Sequence, residues 1–177
     1  MDARLSQGHT DVNAIGMVIE TAFSDEENTV IMNLVEELHQ ETTSPSIKSL
    51  VAEVDNQVIG YVSYSPIFLK SDSGIGGYIL APLAVSPEHQ KQGVSSNLIN
   101  AGIDMLTKDG AGVLLVYGDP AYYGRFGFKE EMGHSFVPPY SLQYPFGWIG
   151  MMLNETSIPE QPLQFDCVAA LSKPELW

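Results

Sequence analysis

Basic residues are scarce in this chain: 8 Lys and Arg stand against 22 Asp and Glu in 177 residues, a net charge of −14. A surface of that sign repels polyphosphate, which excludes a nucleic-acid partner gripped through its backbone. It accepts a small-molecule amine or a basic peptide, although solubility alone explains the charge as well. Cysteine is nearly absent too. Cys167 stands alone, so no internal disulfide forms, and its setting FDCVAAL reads as an apolar strand. No apolar run reaches the roughly 18 residues of a membrane span. The opening MDARLSQGHTD lacks the basic-then-apolar order of a signal peptide, so the expected compartment is the cytoplasm. His9, His39, His89 and His134 lie scattered, without a cysteine pair, so no metal site is expected.

What is present is enough for a core: 44% of the residues are hydrophobic and 10% aromatic. Residues 1–177 read as one domain without repeat, low-complexity tract or linker. Ala3–Leu5 suits an edge strand. Val12, Ile15, Val18, Ile19 and Ala22 recur at helical spacing behind Thr10 or Asp11 as N-cap. A second helix follows Ser24, with Asp25, Glu26 and Glu27 in its first turn, where the helix dipole favours them. The period then shortens: 49–54 and 57–69 read as strands around an Asp55-Asn56 turn, and 78–85 as a third. A helix over 94–106, a buried strand over 112–117 and a short helix opened by Asp119-Pro120 follow. The chain then becomes turn-rich, resuming strand character at 148–153 and 165–171. The order is β-α-α-β-β-β-α-β-α-β-β, an α/β fold with a mixed central sheet of about seven strands flanked by about four helices.

Between the strand ILAPLAV and the helix beginning at Val94 lies HQKQGVSS. A helix N-terminus carries unsatisfied N–H groups and the positive end of the dipole, and small side chains let backbone approach a phosphate. Gly93 offers clearance, Ser95 and Ser96 offer donors, and Lys91 offers charge. The turn fits equally a serine-capped helix after an ordinary loop. It is neither a Walker A loop nor G-x-G-x-x-G.

PLAVSPEHQKQGVSSNLI resembles motif A of the GNAT superfamily of acetyl-CoA-dependent N-acetyltransferases, in which a strand leads to Q/R-x-x-G-x-G/A at a helix start. Gln90 and Gly93 match; Ser95 replaces the final Gly or Ala. About 25 residues on, GDPAYYGRFGFKEE resembles motif B through Tyr123, Arg125, Gly127 and Phe128. Its wording is like that of bacterial members described only as predicted N-acetyltransferases. The resemblance implies a GNAT-like fold and acetyl-CoA as co-substrate. It implies that Gln90, Lys91, Gln92, Gly93, Val94, Ser95 and Ser96 hold the coenzyme pyrophosphate. The strand edge at Leu83, Ala84 and Val85 would pair with the pantetheine arm, and a backbone N–H near Val85 would polarise the thioester carbonyl.

Within the resemblance Tyr123 is the catalytic candidate, as general acid to the leaving thiolate: a thiol of pKa about 8.5 lies near a phenol of about 10. The other role open to Tyr123 is packing with Phe126 and Phe128, both read as core. Tyr122 is the rival acid, and Arg125 meets either the coenzyme or a surface carboxylate. No general base is assigned; Glu53, Glu88, His89 and His134 are the acid–base residues nearby. The acceptor, a small-molecule amine or a basic peptide, is expected over the first two helices and the C-terminal strands. A homodimer is compatible with the resemblance. The alternative of another class is a non-catalytic acyl-CoA-binding sensor or scaffold on the same fold. Gly93→Val is expected to weaken coenzyme binding with little loss of folding.

Overall fold

A computed structural model describes residues 2–177. Among them the chain runs β1 (Asp2–Leu5), α1 (Gly8–Ala22), α2 (Asp25–Gln40), β2 (Lys48–Val54), β3 (Gln57–Leu69), β4 (Gly77–Val85), α3 (Val94–Lys108) and β5 (Val113–Tyr117). It continues through α4 (Pro120–Tyr123), α5 (Glu130–His134), β6 (Phe136–Val137), β7 (Trp148–Met152) and β8 (Leu163–Cys167). The strands make a mixed sheet in the order β1-β2-β3-β4-β5-β7, with β8 pairing β3 and β6. This is the expected α/β class, with eight strands and five helices among the described residues. The two additions, α5 and β6, are short elements in the stretch that reads as turns. No helix among the described residues is long and apolar enough to cross a membrane.

Local chemistry accounts for the boundaries. Ser24 caps α2 in a capping box: its hydroxyl accepts from the Glu27 N–H while the Glu27 carboxylate accepts from the Ser24 N–H. Asp55 and Asn56 both take positive φ, 51° and 62°, as a tight two-residue hairpin between right-twisted strands requires. Helix α1 begins earlier than its apolar period suggests, at Gly8. Asp11 is no N-cap: it accepts from the Gln7 N–H at 2.7 Å and turns to Arg4.

The chain divides into two compact units. The first comprises residues up to Tyr64 together with Ala81–Gly102. In it β1 pairs antiparallel with β2, and β2 with β3 over Lys48↔Tyr64 to Val54↔Gln57. Ile15, Val18 and Ile19 of α1 and Val35 of α2 pack on Val51, Tyr61 and Ala84 of the strands. Tyr64 lies on the face of β3 opposite Tyr61 by strand alternation, and its hydroxyl donates to the Leu98 carbonyl at 3.1 Å, fastening α3 there. Arg4 lies on β1, its guanidinium held by Glu53 at 2.7 Å and by buried Asp11 at 2.7 Å.

The second unit comprises Ser65–Leu80 and Ile103–Trp177. Here β4 pairs parallel with β5 over only Gly77–Ile79 opposite Val113–Leu115, and β5 pairs antiparallel with β7 along Val113–Tyr117. Trp148 centres its core, donating its indole N–H to the Phe136 carbonyl at 2.9 Å and stacking on Phe165. Cys167 ends β8, where burial first and Asp166 second push its thiol up to about 12. It therefore stays protonated at neutral pH, in keeping with a structural strand residue.

Candidate functional site

In the first unit, β4 hands over to α3 through a tightly organised turn. The Ser86 N–H donates to the Ile59 carbonyl at 2.9 Å, and a single 3-10 turn covers Pro87–His89. The Gln90 amide then donates back to the Val85 carbonyl at 3.1 Å, and the Gln92 amide to the Glu88 carbonyl at 2.8 Å. Gln90 therefore ties the turn to the strand end, a positioning role that a motif match does not reveal. Lys91 and Gly93 both have left-handed backbone, φ 60° and 85°, on either side of Gln92. Handedness changes of this kind turn successive N–H groups into the concave nests that bind anions. The first α-helical backbone bond runs from the Asn97 N–H to the Gly93 carbonyl at 2.9 Å, so the leading N–H groups of α3 lie ahead of it.

Among the described residues, no atom beyond its two chain neighbours lies within 4 Å of where a Gly93 side chain would begin, so packing does not demand glycine there; the backbone does. At φ 85° a β-branched residue is strained whatever the space. The expectation that Gly93→Val spares folding is therefore overturned. Gly93→Asn is the informative substitution, since asparagine tolerates left-handed backbone. It is expected to weaken acetyl-CoA binding at least tenfold while the melting temperature stays near that of the parent.

In the second unit, Tyr123 ends α4, whose start is fixed as expected: the Asp119 carboxylate accepts from the Ala121 N–H at 2.9 Å and Pro120 occupies the first turn. The Tyr123 ring lies against Gly118, where an added Cβ would fall 2.5 Å from the ring. It meets Phe128 edge-on at 5.6 Å and Tyr122 at 5.1 Å. Burial, with a smaller contribution from Tyr122, raises the Tyr123 phenol above its ordinary value. Its hydroxyl makes no hydrogen bond among the described residues, so this neutral donor is uncommitted. Tyr122 differs: the Arg125 guanidinium sits 4.5 Å over its ring and bonds its carbonyl at 3.1 Å. Arg125 is thus engaged by an aromatic face rather than by a carboxylate. Phe128 is core at 4% exposure, whereas Phe126 is half-buried beneath Arg125, a correction to its expected place. Gly118 escapes sequence reasoning; its only signal is a glycine between a buried strand and Asp-Pro.

The acid–base residues are unequal. Glu53 is paired with Arg4, which holds its carboxyl below the ordinary range and removes it as a waiting base. Glu88 and His134 are exposed, and the His89 Nδ1 is buried without a hydrogen-bond partner. Among the described residues no three His, Cys, Asp or Glu side chains gather as metal ligands.

Comparison with known proteins gives a consistent picture. Residues 16–128 match the model of the acetyltransferase (GNAT) family. Uncharacterized N-acetyltransferase YjhQ of Escherichia coli K12 is 34% identical over 125 residues, 69% of this chain and 68% of its own. Uncharacterized N-acetyltransferase YhbS of the same strain is 40% identical over 86 residues, 48% of this chain, so the match spans about half of that relative (51%). The crystal structure of E. coli YhbS with CoA superposes with a TM-score of 0.81 at 24% identity, covering 97% of this chain and 92% of that one, a likeness of fold. A Brucella melitensis GNAT-family acetyltransferase in complex with acetyl-CoA gives a TM-score of 0.64 at 28% identity, covering 96% of each chain.

Proposed function

The chain belongs to the acetyltransferase (GNAT) family, and on that premise we propose that it transfers an acetyl group from acetyl-CoA to a primary amine by direct attack. The observation carrying this reading is the turn at Gln90–Ser96: left-handed at Lys91 and Gly93, opening α3, and tied to the end of β4 by Gln90. Among the described residues nothing beyond its chain neighbours comes within 4 Å of the Gly93 Cβ position, so the residues fit an approaching phosphate.

Acetyl-CoA supplies the acyl group as a thioester. In this reading Lys91, Gln92, Gly93, Val94, Ser95 and Ser96 hold its pyrophosphate, and Gln90 orients the turn. Leu83, Ala84 and Val85 lie along the pantetheine arm. The Ser86 N–H is directed at β3, so strand alternation turns the Val85 and Leu83 N–H groups away from it. Val85 N–H is then the donor to the thioester oxygen. The three-residue ladder between β4 and β5 supports the same view, since β4 runs on to Val85. Tyr123 is the general acid at sulfur. The acceptor is a small-molecule amine or a basic peptide, and a cytoplasmic, single-domain enzyme is the form proposed; β3 and β4 each contribute residues to both units.

The test is calorimetric titration of acetyl-CoA and of desulpho-CoA into the purified protein, followed by a screen of amines for thiol release. Saturable binding of both coenzymes with amine-dependent release is the expected result. Binding without release from any amine returns the sensor reading; no binding at millimolar coenzyme removes both.

A further inference from the structure

In the second unit the end of β5 is gripped by the loop that leads into β7. Tyr117 ends β5, and its hydroxyl accepts from the Tyr144 N–H at 2.9 Å. The next residue, Gly118, donates its N–H to the Gly147 carbonyl at 2.9 Å, which carries the β5–β7 pairing one residue past Tyr117↔Trp148. Between the two grips the loop closes on itself, the Gly147 N–H donating to the Tyr144 carbonyl at 2.8 Å. Gly147 is buried against the strand end: a Cβ there would fall 2.9 Å from the Gly118 carbonyl oxygen and 3.1 Å from the Tyr117 ring. Residues 144–147 thus form a strap across Tyr117 and Gly118.

The far side of Gly118 holds Tyr123. The Tyr123 hydroxyl makes no hydrogen bond among the described residues, so ring contacts aim it. Tyr122 and Phe128 supply two of these contacts and belong to the same short segment as Tyr123. Gly118 supplies another from the strand end: an added Cβ would fall 2.5 Å from the Tyr123 Cε2, beside the carbon that bears the hydroxyl. Gly118 has no side chain to anchor it, so the strap sets its place, and the Tyr117 hydroxyl is the side-chain anchor of the strap on β5. A general acid acts only within hydrogen-bond reach of its acceptor, and a misplacement of about 1 Å costs up to about 10²-fold in rate.

We propose that Tyr117 is a positioning residue for Tyr123, acting through the strap at 144–147 and through Gly118. The proposal rests on the reading of Tyr123 as general acid and adds the group that aims it.

Tyr117→Phe tests it, since phenylalanine keeps the ring against Gly147 and removes only the hydroxyl. Tyr144 is exposed, so its freed N–H turns to water and the fold is expected to survive. Thiol release from acetyl-CoA is measured at saturating coenzyme, with the most active amine of the screen as acceptor. Turnover is expected to fall about tenfold, with the coenzyme Kd within about twofold of the parent. In a Tyr123→Phe background the same change should alter turnover less than about twofold, because the residue it acts through is already gone. In protein carrying fluorotyrosine, the fluorine resonance that Tyr123→Phe removes should shift in Tyr117→Phe, while that of Tyr61, in the other unit, stays. Parental turnover in Tyr117→Phe, with Tyr123→Phe slow, overturns this proposal alone. So does an unmoved Tyr123 resonance, or an equal loss in both backgrounds, which would give Tyr117 a role of its own. Parental turnover in Tyr123→Phe, or no release with any amine, removes the acid reading and this proposal with it.

Discussion

Tyr123→Phe is expected to lower acetyl-transfer turnover by about 10²- to 10³-fold, within the usual range for a lost general acid, while acetyl-CoA affinity stays within about twofold. The structural reason for a clean result is that the hydroxyl makes no hydrogen bond among the described residues, whereas the ring is held by Gly118, Tyr122 and Phe128. Phenylalanine keeps those contacts, so fold and melting temperature should not change. The raised pKa of Tyr123 sharpens the mechanism. Burial is its chief cause, and a phenol held above 10 keeps its proton throughout the neutral range. Full transfer to a thiolate of pKa about 8.5 in water would run uphill by at least about 2 kcal/mol. In the proposed reading a thiol bound in a dry site beside Tyr123 would be raised as well, since desolvation disfavours both anions, and the match between donor and acceptor would be restored. Tyr122→Phe is the control: its ring underlies Arg125, and turnover should remain within about threefold. Equal losses in the two variants, measured by thiol release at saturating coenzyme, would remove Tyr123 from the acid role.

The parts of this fold legible in the sequence are those set by neighbours in the chain. The Ser24–Glu27 capping box, the Asp55-Asn56 turn and the Asp119-Pro120 helix start are complete within a few residues, and each lies where its residues place it. Elements made by distant partners were hidden. Helix α5 and strand β6 have little periodicity of their own; Lys129 bridges to Gly150, and Phe136 pairs with Leu163. The apolar run through Leu171 reads as one long strand, but β8 stops at Cys167 and a 3-10 turn takes Ala169–Leu171. At the candidate site residue types were legible and backbone was not. Gly93 reads as clearance for a ligand, yet its φ of 85° is a conformational demand as well, and Gln90 reads as a ligand contact while its amide anchors the turn.

The same limit hid the group with the largest expected effect on stability. Arg4, Asp11 and Glu53 come from β1, α1 and β2, and Arg4 to Glu53 spans 49 positions. Arg4→Met keeps the side-chain length but leaves Asp11, 4% exposed, as a buried carboxylate without its cation. Breaking a fully buried pair typically costs 3–5 kcal/mol; Arg4 is 30% exposed, so about 2–3 kcal/mol is expected, roughly 5–10 °C in melting temperature. The pH dependence identifies the cause. The hydrogen-bonded guanidinium holds Asp11 and Glu53 below their ordinary values, so both are depressed in the folded state. Their contribution is complete above the unfolded carboxylate values near 4 and disappears as pH falls through the lower folded values. Arg4 stays charged throughout this window and adds no slope. The gap between parent and Arg4→Met in urea midpoint should therefore be widest near neutrality and shrink below about pH 4. A gap that keeps its full width at pH 3 would show that Arg4 acts through packing of its stem between the strands and not through its charge.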